Sequence, residues 1–421
     1  MKKFALTTAA AVAVSLAAPA LASDKNLDIR VSLILDGIYF NELKQGNHSP
    51  AGFGGDHHHH DNGDNHSHGL AEGFNLGHSE LAFEASLGDL LDGMLMLGFD
   101  SNHIEVEEAY LKTRSLPAGF QLKVGKFLSG IGYINSRHSH DWDFVDRPLV
   151  NEYLFGDHGL QEIGIQTTWL APRDSYTLVG VELLQGENPE VANYIGEQEA
   201  LDGTNRILKD RSGPRLLTAF TKWAPDLGHD HALQLGASAG YSFSYQYTSE
   251  HSTRHEDWDG KAWFAGLDAV YKYETGRSHG HGNLTLQAEY FYREIDVDRR
   301  DVNFAADSHG PVGHIRNVSS FKNKQDGLYA QGVYGFAPRW EAGLRAEALG
   351  LTNELGRGDG TNHDTSYRYS GQVTFRPTEP VFLRAQLNHN DFAGDDGRSD
   401  KGWEFMLQVN VALGAHGAHT F

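Results

Sequence analysis

The sequence predicts an all-β protein, a transmembrane antiparallel up-and-down β-barrel of about sixteen strands with long external loops and short periplasmic turns. Three observations carry that expectation. Apolar residues recur at every second position, the alternating segments run about 9–14 residues, and short links alternate with long ones. Trp403, Phe405, Leu407, Val409, Val411 and Leu413 are apolar, while Glu404, Gln408 and Asn410 between them are polar. Val381, Leu383, Ala385 and Leu387 alternate in the same way with Arg384, Gln386 and Asn388. So do Leu284, Leu286, Ala288, Tyr290 and Tyr292 with Thr285, Gln287, Glu289 and Arg293, and Trp340, Ala342, Leu344, Ala346 and Ala348 with Glu341, Arg345 and Glu347. A period of two gives each strand one apolar and one polar face. Strands of a soluble sandwich are usually about five or six residues long; the segments here have the length that a tilted strand needs to cross a bilayer.

The segments lie at 28–40, 73–87, 93–101, 104–114, 119–127, 160–170, 175–186 and 214–223, then at 231–247, 261–274, 283–297, 326–336, 339–350, 367–376, 381–391 and 402–413. From the second segment on, every other link is short (88–92, 115–118, 171–174, 224–230, 275–282, 337–338 and 377–380) and carries Pro, Gly or Asp, as tight turns do. Most of the others are long: 41–72, 128–159, 187–213, 248–260, 298–325 and 351–366. Short turns on one side and long loops on the other are the plan of an outer-membrane barrel. Within 93–114, Glu107-Glu108 interrupts the alternation and predicts a β-bulge. Tyr39, Phe40, Trp169, Trp223, Tyr271, Tyr273, Tyr334, Phe336, Tyr367, Tyr369 and Phe375 fall near segment ends, where aromatic girdles sit. Phe421 supplies a C-terminal aromatic, set behind a tail at 414–420.

Composition narrows the function classes. The 421 residues include no Cys and 48 Gly, with 35 Lys plus Arg against 56 Asp plus Glu, a net charge of −21. The missing Cys excludes disulfides, thiolate nucleophiles and cysteine metal sites; the acidic balance argues against a nucleic-acid partner. No apolar run is long enough for a transmembrane helix. Residues 1–22 have the layout of a secretory signal peptide: Lys2 and Lys3, an apolar stretch at 4–16, and Ala20-Leu21-Ala22 before the cleavage point. Residues 23–421 are then the barrel, with the outer membrane of a Gram-negative bacterium as its location and bilayer lipid and the barrel-assembly machinery as partners.

Twenty-four His are unusual, and most fall in links. The first external loop (41–72) holds His48, His57, His58, His59, His60, His66 and His68, interleaved with Asp56, Asp61 and Asp64 and spaced by Gly54, Gly55, Gly63 and Gly69. Imidazole with carboxylate suits zinc, and also nickel and copper. The donors are redundant and flexibly held, which favours metal capture over catalysis. The link 128–159 is the second candidate. It is long enough to fold into the lumen and constrict the pore, and it places His138, His140 and Asp141 or Asp143 where they can hold a cation. Its alternative reading is a packed loop with Asp146–Arg147 as an internal ion pair and Trp142 as filler. On the polar strand faces Arg293, Arg345, Arg384 and Lys123 oppose Glu108, Glu162, Glu289, Glu341 and Glu404, the mixed lining of a water-filled pore, with no basic ladder for anions. No phosphate loop, nucleophile elbow or HExxH motif occurs, so no enzyme and no required cofactor are expected.

Residues 104–111 (Ile-Glu-Val-Glu-Glu-Ala-Tyr-Leu), 122–127 (Leu-Lys-Val-Gly-Lys-Phe) and 140–148 (His-Asp-Trp-Asp-Phe-Val-Asp-Arg-Pro) resemble a group of proteobacterial porin-like outer-membrane proteins. Some of these are described as zinc-regulated, and the group is distantly similar to phosphate-selective porins. The resemblance implies a channel associated with zinc uptake, and sixteen-stranded porins are commonly homotrimers. Some relatives are called TonB-dependent receptors. A plug domain is not expected here, since the first strand begins about six residues beyond the predicted cleavage point. The expected function is therefore a porin-like channel whose His-rich loop binds divalent metal and assists zinc uptake. A general diffusion porin with an incidental His tract, or a surface metal-buffering or adhesive barrel without transport, are the alternatives.

Overall fold

In the computed structural model, residues 27–414 are described apart from 54–69, 197–206, 357–360, 395–396 and the single positions 102, 251, 304, 307 and 309. The predicted signal peptide and the C-terminal Phe421 lie outside this set. The strands are β1 (Leu27–Lys44), β2 (Gly73–Leu76), β3 (Ser79–Leu87), β4 (Leu91–Phe99), β5 (Ile104–Thr113), β6 (Phe120–Leu128), β7 (Gln161–Leu170), β8 (Tyr176–Leu184) and β9 (Leu216–Ala224). They continue with β10 (His231–Glu250), β11 (Arg254–Tyr273), β12 (Leu284–Asn303), β13 (Ile315–Ala337), β14 (Trp340–Leu355), β15 (Thr361–Asn362), β16 (Ser366–Thr378), β17 (Val381–Ala393) and β18 (Ser399–Gly414). Short β2 and β15 pair only along the external parts of β1 and β14. The other sixteen strands close a cylinder: β1 pairs antiparallel with β18 (Leu33 opposite Leu413) and with β3 (Leu33 opposite Leu81). Closure leaves no unpaired edge, which is what lets a sheet stand in hydrocarbon.

The alternation orients the side chains as predicted. Leu344 (74% exposed), Leu267 (63%) and Ile163 (60%) point outward, while Gln287, Arg345, Gln386 and Gln408 point inward and are buried. Trp340 stacks on Phe375 at 4.6 Å beside the periplasmic turns, and Phe120 on Trp169 at 6.4 Å. Phe40 does not join a girdle. It faces inward, 1% exposed, against Ile38, Val145 and Met406.

The strands exceed their predicted bounds on one side. β10 to β13 run 20, 20, 20 and 23 residues, so the expected loop 248–260 is mostly strand, and much of 298–325 is too. Beyond the bilayer no lipid demands an apolar face, and the alternation fades. Cross-strand charge pairs take its place: Arg299 to Glu256 at 2.7 Å, and Arg254 to Asp301. An inward cluster of Trp258, Ile295, Val297 and Phe321 holds this extension together.

Candidate functional site

The link between β6 and β7, residues 129–160, lies inside the barrel. It carries two short 3-10 turns, Ile134–Ser136 and Ser139–Asp141, and one helix, α1 (Leu149–Phe155), every residue of which is buried. Ile131, Leu149, Val150, Leu154 and Phe155 meet inward Phe264, Phe291, Tyr329 and Leu349 from the wall. Phe155 sits edge-on to Phe264 at 5.1 Å and to Phe291 at 4.9 Å. An apolar core therefore exists within the cylinder, built by the loop together with the long strands.

A buried irregular segment must have its backbone groups satisfied, and the wall supplies the acceptors. Glu289 accepts from the amides of Tyr133 (3.1 Å) and Ile134 (2.8 Å), Glu347 from that of Leu149 (2.6 Å), and Glu182 from that of Gly130 (2.9 Å). Glu162, expected among the pore-lining charges, accepts from the amides of Gly186, Glu187 and Asn188 in the next external link. These inward carboxylates anchor loops. Asp146 receives Arg345 at 2.6 Å and Arg368 at 2.9 Å, so its partners are wall arginines and not Arg147. Arg147 stacks on Trp142 at 4.6 Å, and burial pushes its guanidinium down to about 10.

At one edge of the loop, imidazoles meet carboxylates. The predicted bulge is present in β5: Met96 faces Glu108 and Leu97 faces Val106, leaving Glu107 unpaired. The extra residue turns both Glu107 and Glu108 to the lumen. Glu80 of β3 and His78 just before it complete the wall side. His78, Glu80 and Glu107 offer ligand atoms within 4.8 Å of one another. From the loop, Nδ1 of His138 lies 3.5 Å from Glu80 and 3.5 Å from Glu107, and Nδ1 of His140 lies 3.1 Å from Glu80. His78 Nε2 touches Glu107. The His138 and His140 rings are parallel, their centroids 5.9 Å apart. Burial opposes the charge on His138 most strongly, but Glu80, Glu107 and Glu108 together outweigh it and hold the imidazole well above its ordinary value. For His78 burial is again the largest influence and acts downward, but Glu107 and Glu80 prevail and raise it.

Of the sequence candidates, His138, His140 and Asp141 come together here, Asp141 lying 3.6 Å from His140. Asp143 points elsewhere, accepting from Gln331 at 3.1 Å. His57, His58, His59, His60, His66, His68, Asp56, Asp61 and Asp64 lie outside the described residues. Sequence reasoning did not single out His78, Glu80 and Glu107, whose ligand atoms the structure brings together. The only available signal was the bulge, which says that a side chain is re-aimed but not at what.

The cluster lies between two cavities. One, of about 560 Å³, reaches the periplasmic strand ends at Lys112, Gln121, Tyr176 and Gln234. The other, of about 390 Å³, opens among the external residues Asp100, Asp157 and His158. Both are lined by Leu128, Arg137 and His138. Leu128, Arg137 and His138 are the neck, the part of the wall common to both cavities.

No family model matches the chain. It is 34% identical over 357 residues to an uncharacterised protein of Aquifex aeolicus (strain VF5), covering 83% of this chain and 70% of that one. Among solved structures it is similar to the outer-membrane channel DcaP of Acinetobacter baumannii (TM-score 0.55, 14% identity, 93% of this chain and 99% of that one). It is also similar to a loop L8 deletion mutant of OmpT, an outer-membrane protein of Vibrio cholerae (TM-score 0.54, 12% identity, 92% and 99%). At such identities the structural likeness speaks for the fold. The chain has the closed β-barrel fold of these outer-membrane proteins, and it belongs to the family of the Aquifex aeolicus protein.

Proposed function

We propose that the protein is a non-enzymatic, passive outer-membrane channel for divalent metal ions, zinc foremost, and that the His-rich tract at 57–68 gathers those ions outside. The observation that carries this reading is the neck, where an external and a periplasmic cavity share a wall bearing His138. Imidazole and carboxylate gathered at one constriction favour a divalent cation over an anion. The acidic balance of the chain, −21 overall, concentrates cations at its mouth. Membership in the zinc-regulated group is part of the proposal and rests on residues 104–148. One solved form of Vibrio cholerae OmpT is a trimer, and a homotrimer is the assembly proposed here.

Planar-bilayer recording of the purified protein is expected to give discrete channel events with cation preference; a silent bilayer would leave only a surface metal-binding role. Growth on limiting zinc separates the specific channel from a general porin. Deleting 54–69 is expected to slow zinc-limited growth and zinc uptake, and an unchanged rate would make the His tract incidental to transport.

A further inference from the structure

We infer that His78, Glu80, Glu107, His138 and His140 form a built divalent-metal site at the neck, distinct from the His-rich external tract, and that an ion bound there pins the inward loop to the wall and, while it resides, obstructs the passage of other ions. The binding chemistry stands by itself; the obstruction rests on the channel reading above.

Four observations point to a metal and not merely to a group of ion pairs. Glu80 is 1% exposed, and neither of its carboxylate oxygens accepts a hydrogen bond among the described residues. Its charge partners are the imidazoles of His78, His138 and His140, 3.1 to 4.0 Å away. A carboxylate buried this deeply needs positive charge among the groups around it, and a divalent ion held between Glu80 and the imidazoles would supply it. Second, the spacing fits. Metal–ligand bonds of about 2.0–2.1 Å in a tetrahedron set neighbouring donors roughly 3.3 Å apart, and the loop imidazole nitrogens lie 3.1 and 3.5 Å from the carboxylate oxygens of Glu80 and Glu107.

Third, the outer partners are in place. Each loop histidine turns Nδ1 to the shared carboxylates and Nε2 to another: His138 to Glu108 at 3.4 Å, His140 to Asp141 at 3.6 Å. A carboxylate behind a ligating imidazole fixes its tautomer and raises its basicity. Fourth, the ligands come from separate elements. His78 precedes β3, Glu80 lies on it, Glu107 occupies the β5 bulge, and the two remaining histidines sit on the inward loop. Binding one ion therefore ties loop to wall. The mixed nitrogen and oxygen set favours Zn²⁺, Ni²⁺ or Cu²⁺ over Mg²⁺ and Ca²⁺, which prefer all-oxygen shells.

Zinc is the probe, used on the full chain and on a variant lacking 54–69, which removes the competing His tract. In both, calorimetry is expected to show one tight zinc site per chain that is weakened at least about tenfold by Glu80→Gln or by His138→Ala. Deletion of Glu107 should do the same while keeping the barrel folded, because removing the bulge restores regular alternation in β5. Heat-modifiable migration on gels checks folding of every variant. In bilayers, zinc is expected to reduce the potassium current of the intact protein reversibly, and the same substitutions should relieve that inhibition. Equal zinc affinity in all folded variants overturns the site. Tight binding lost on substitution, with currents insensitive to zinc, keeps the site and overturns the obstruction. Absence of any current overturns the channel reading alone, since the calorimetry still decides the site.

Discussion

Gly125 shows how one residue serves the wall that carries the neck. Its φ is +136°, and a Cβ there would lie 2.1 Å from the carbonyl oxygen of Ala109 on β5. Tyr110 pairs with Gly125, and Lys123 lies 4.8 Å over the ring of Tyr110 and 5.2 Å over that of Phe127. Gly125→Ala forces a left-handed strain and a backbone shift together, a cost of roughly 1–3 kcal/mol. The expected outcome is a lower yield of heat-modifiable, folded barrel, whereas Gly371→Ala, where the backbone is not left-handed and a Cβ meets only the Leu344 side chain at 3.7 Å, should fold better. The motif around Gly125 was legible in the sequence as a resemblance. Its cause was not, because the crowding atom belongs to a neighbouring strand. The proposed ligand set divides in the same way. His138 and His140 are close in sequence and easily singled out, but Glu80 and Glu107 read there as two more polar positions on strands.

At the scale of the element, the inward loop is held by charge as well as by its apolar face. Asp146, Arg345 and Arg368 are each about 1% exposed at the side chain. Removing one partner from such a buried set costs about 3–5 kcal/mol, because the others keep their charge without compensation. Asp146→Ala is therefore expected to loosen the loop. Single-channel conductance should rise and become noisier, while the barrel itself still forms; an unaltered conductance would mean that the loop does not limit flow. Loop length alone suggested an inward fold, and the Asp-Arg-Pro sequence suggested a local ion pair. The wall arginines outcompete Arg147 because they are already buried on the inner face, where the loop's carboxylate must lie.

For the whole molecule, the two faces of the cylinder are set by opposite solvents. Leu344 is 74% exposed to what the alternation makes lipid, and it lies between Gly332 and Gly371 on the neighbouring strands. Leu344→Arg is expected to cost about 2–4 kcal/mol of folding stability in bilayers, as charge does on the lipid face near the midplane. Urea titration in lipid vesicles measures this directly. Arg at an exposed position on the extended β13, such as Val318, 68% exposed, should cost much less. A similar penalty at both sites would mean that the extension is also immersed.

The sequence by itself determined the cylinder. A period of two, strand length and the rhythm of short and long links are local properties, and each residue carries its own vote for lipid or for water. All sixteen closing strands and the bulge at Glu107 were legible on those grounds. Only the tertiary structure decided what the inner face is for. Strands far apart in the chain bring Glu289, Glu347 and Arg345 to one loop and His78, Glu80 and Glu107 to another edge of it. Alternation says that such residues point inward. Which partner each one meets depends on where the loop comes to rest, and that is a contest among burial, backbone hydrogen bonds and charge that no single strand contains.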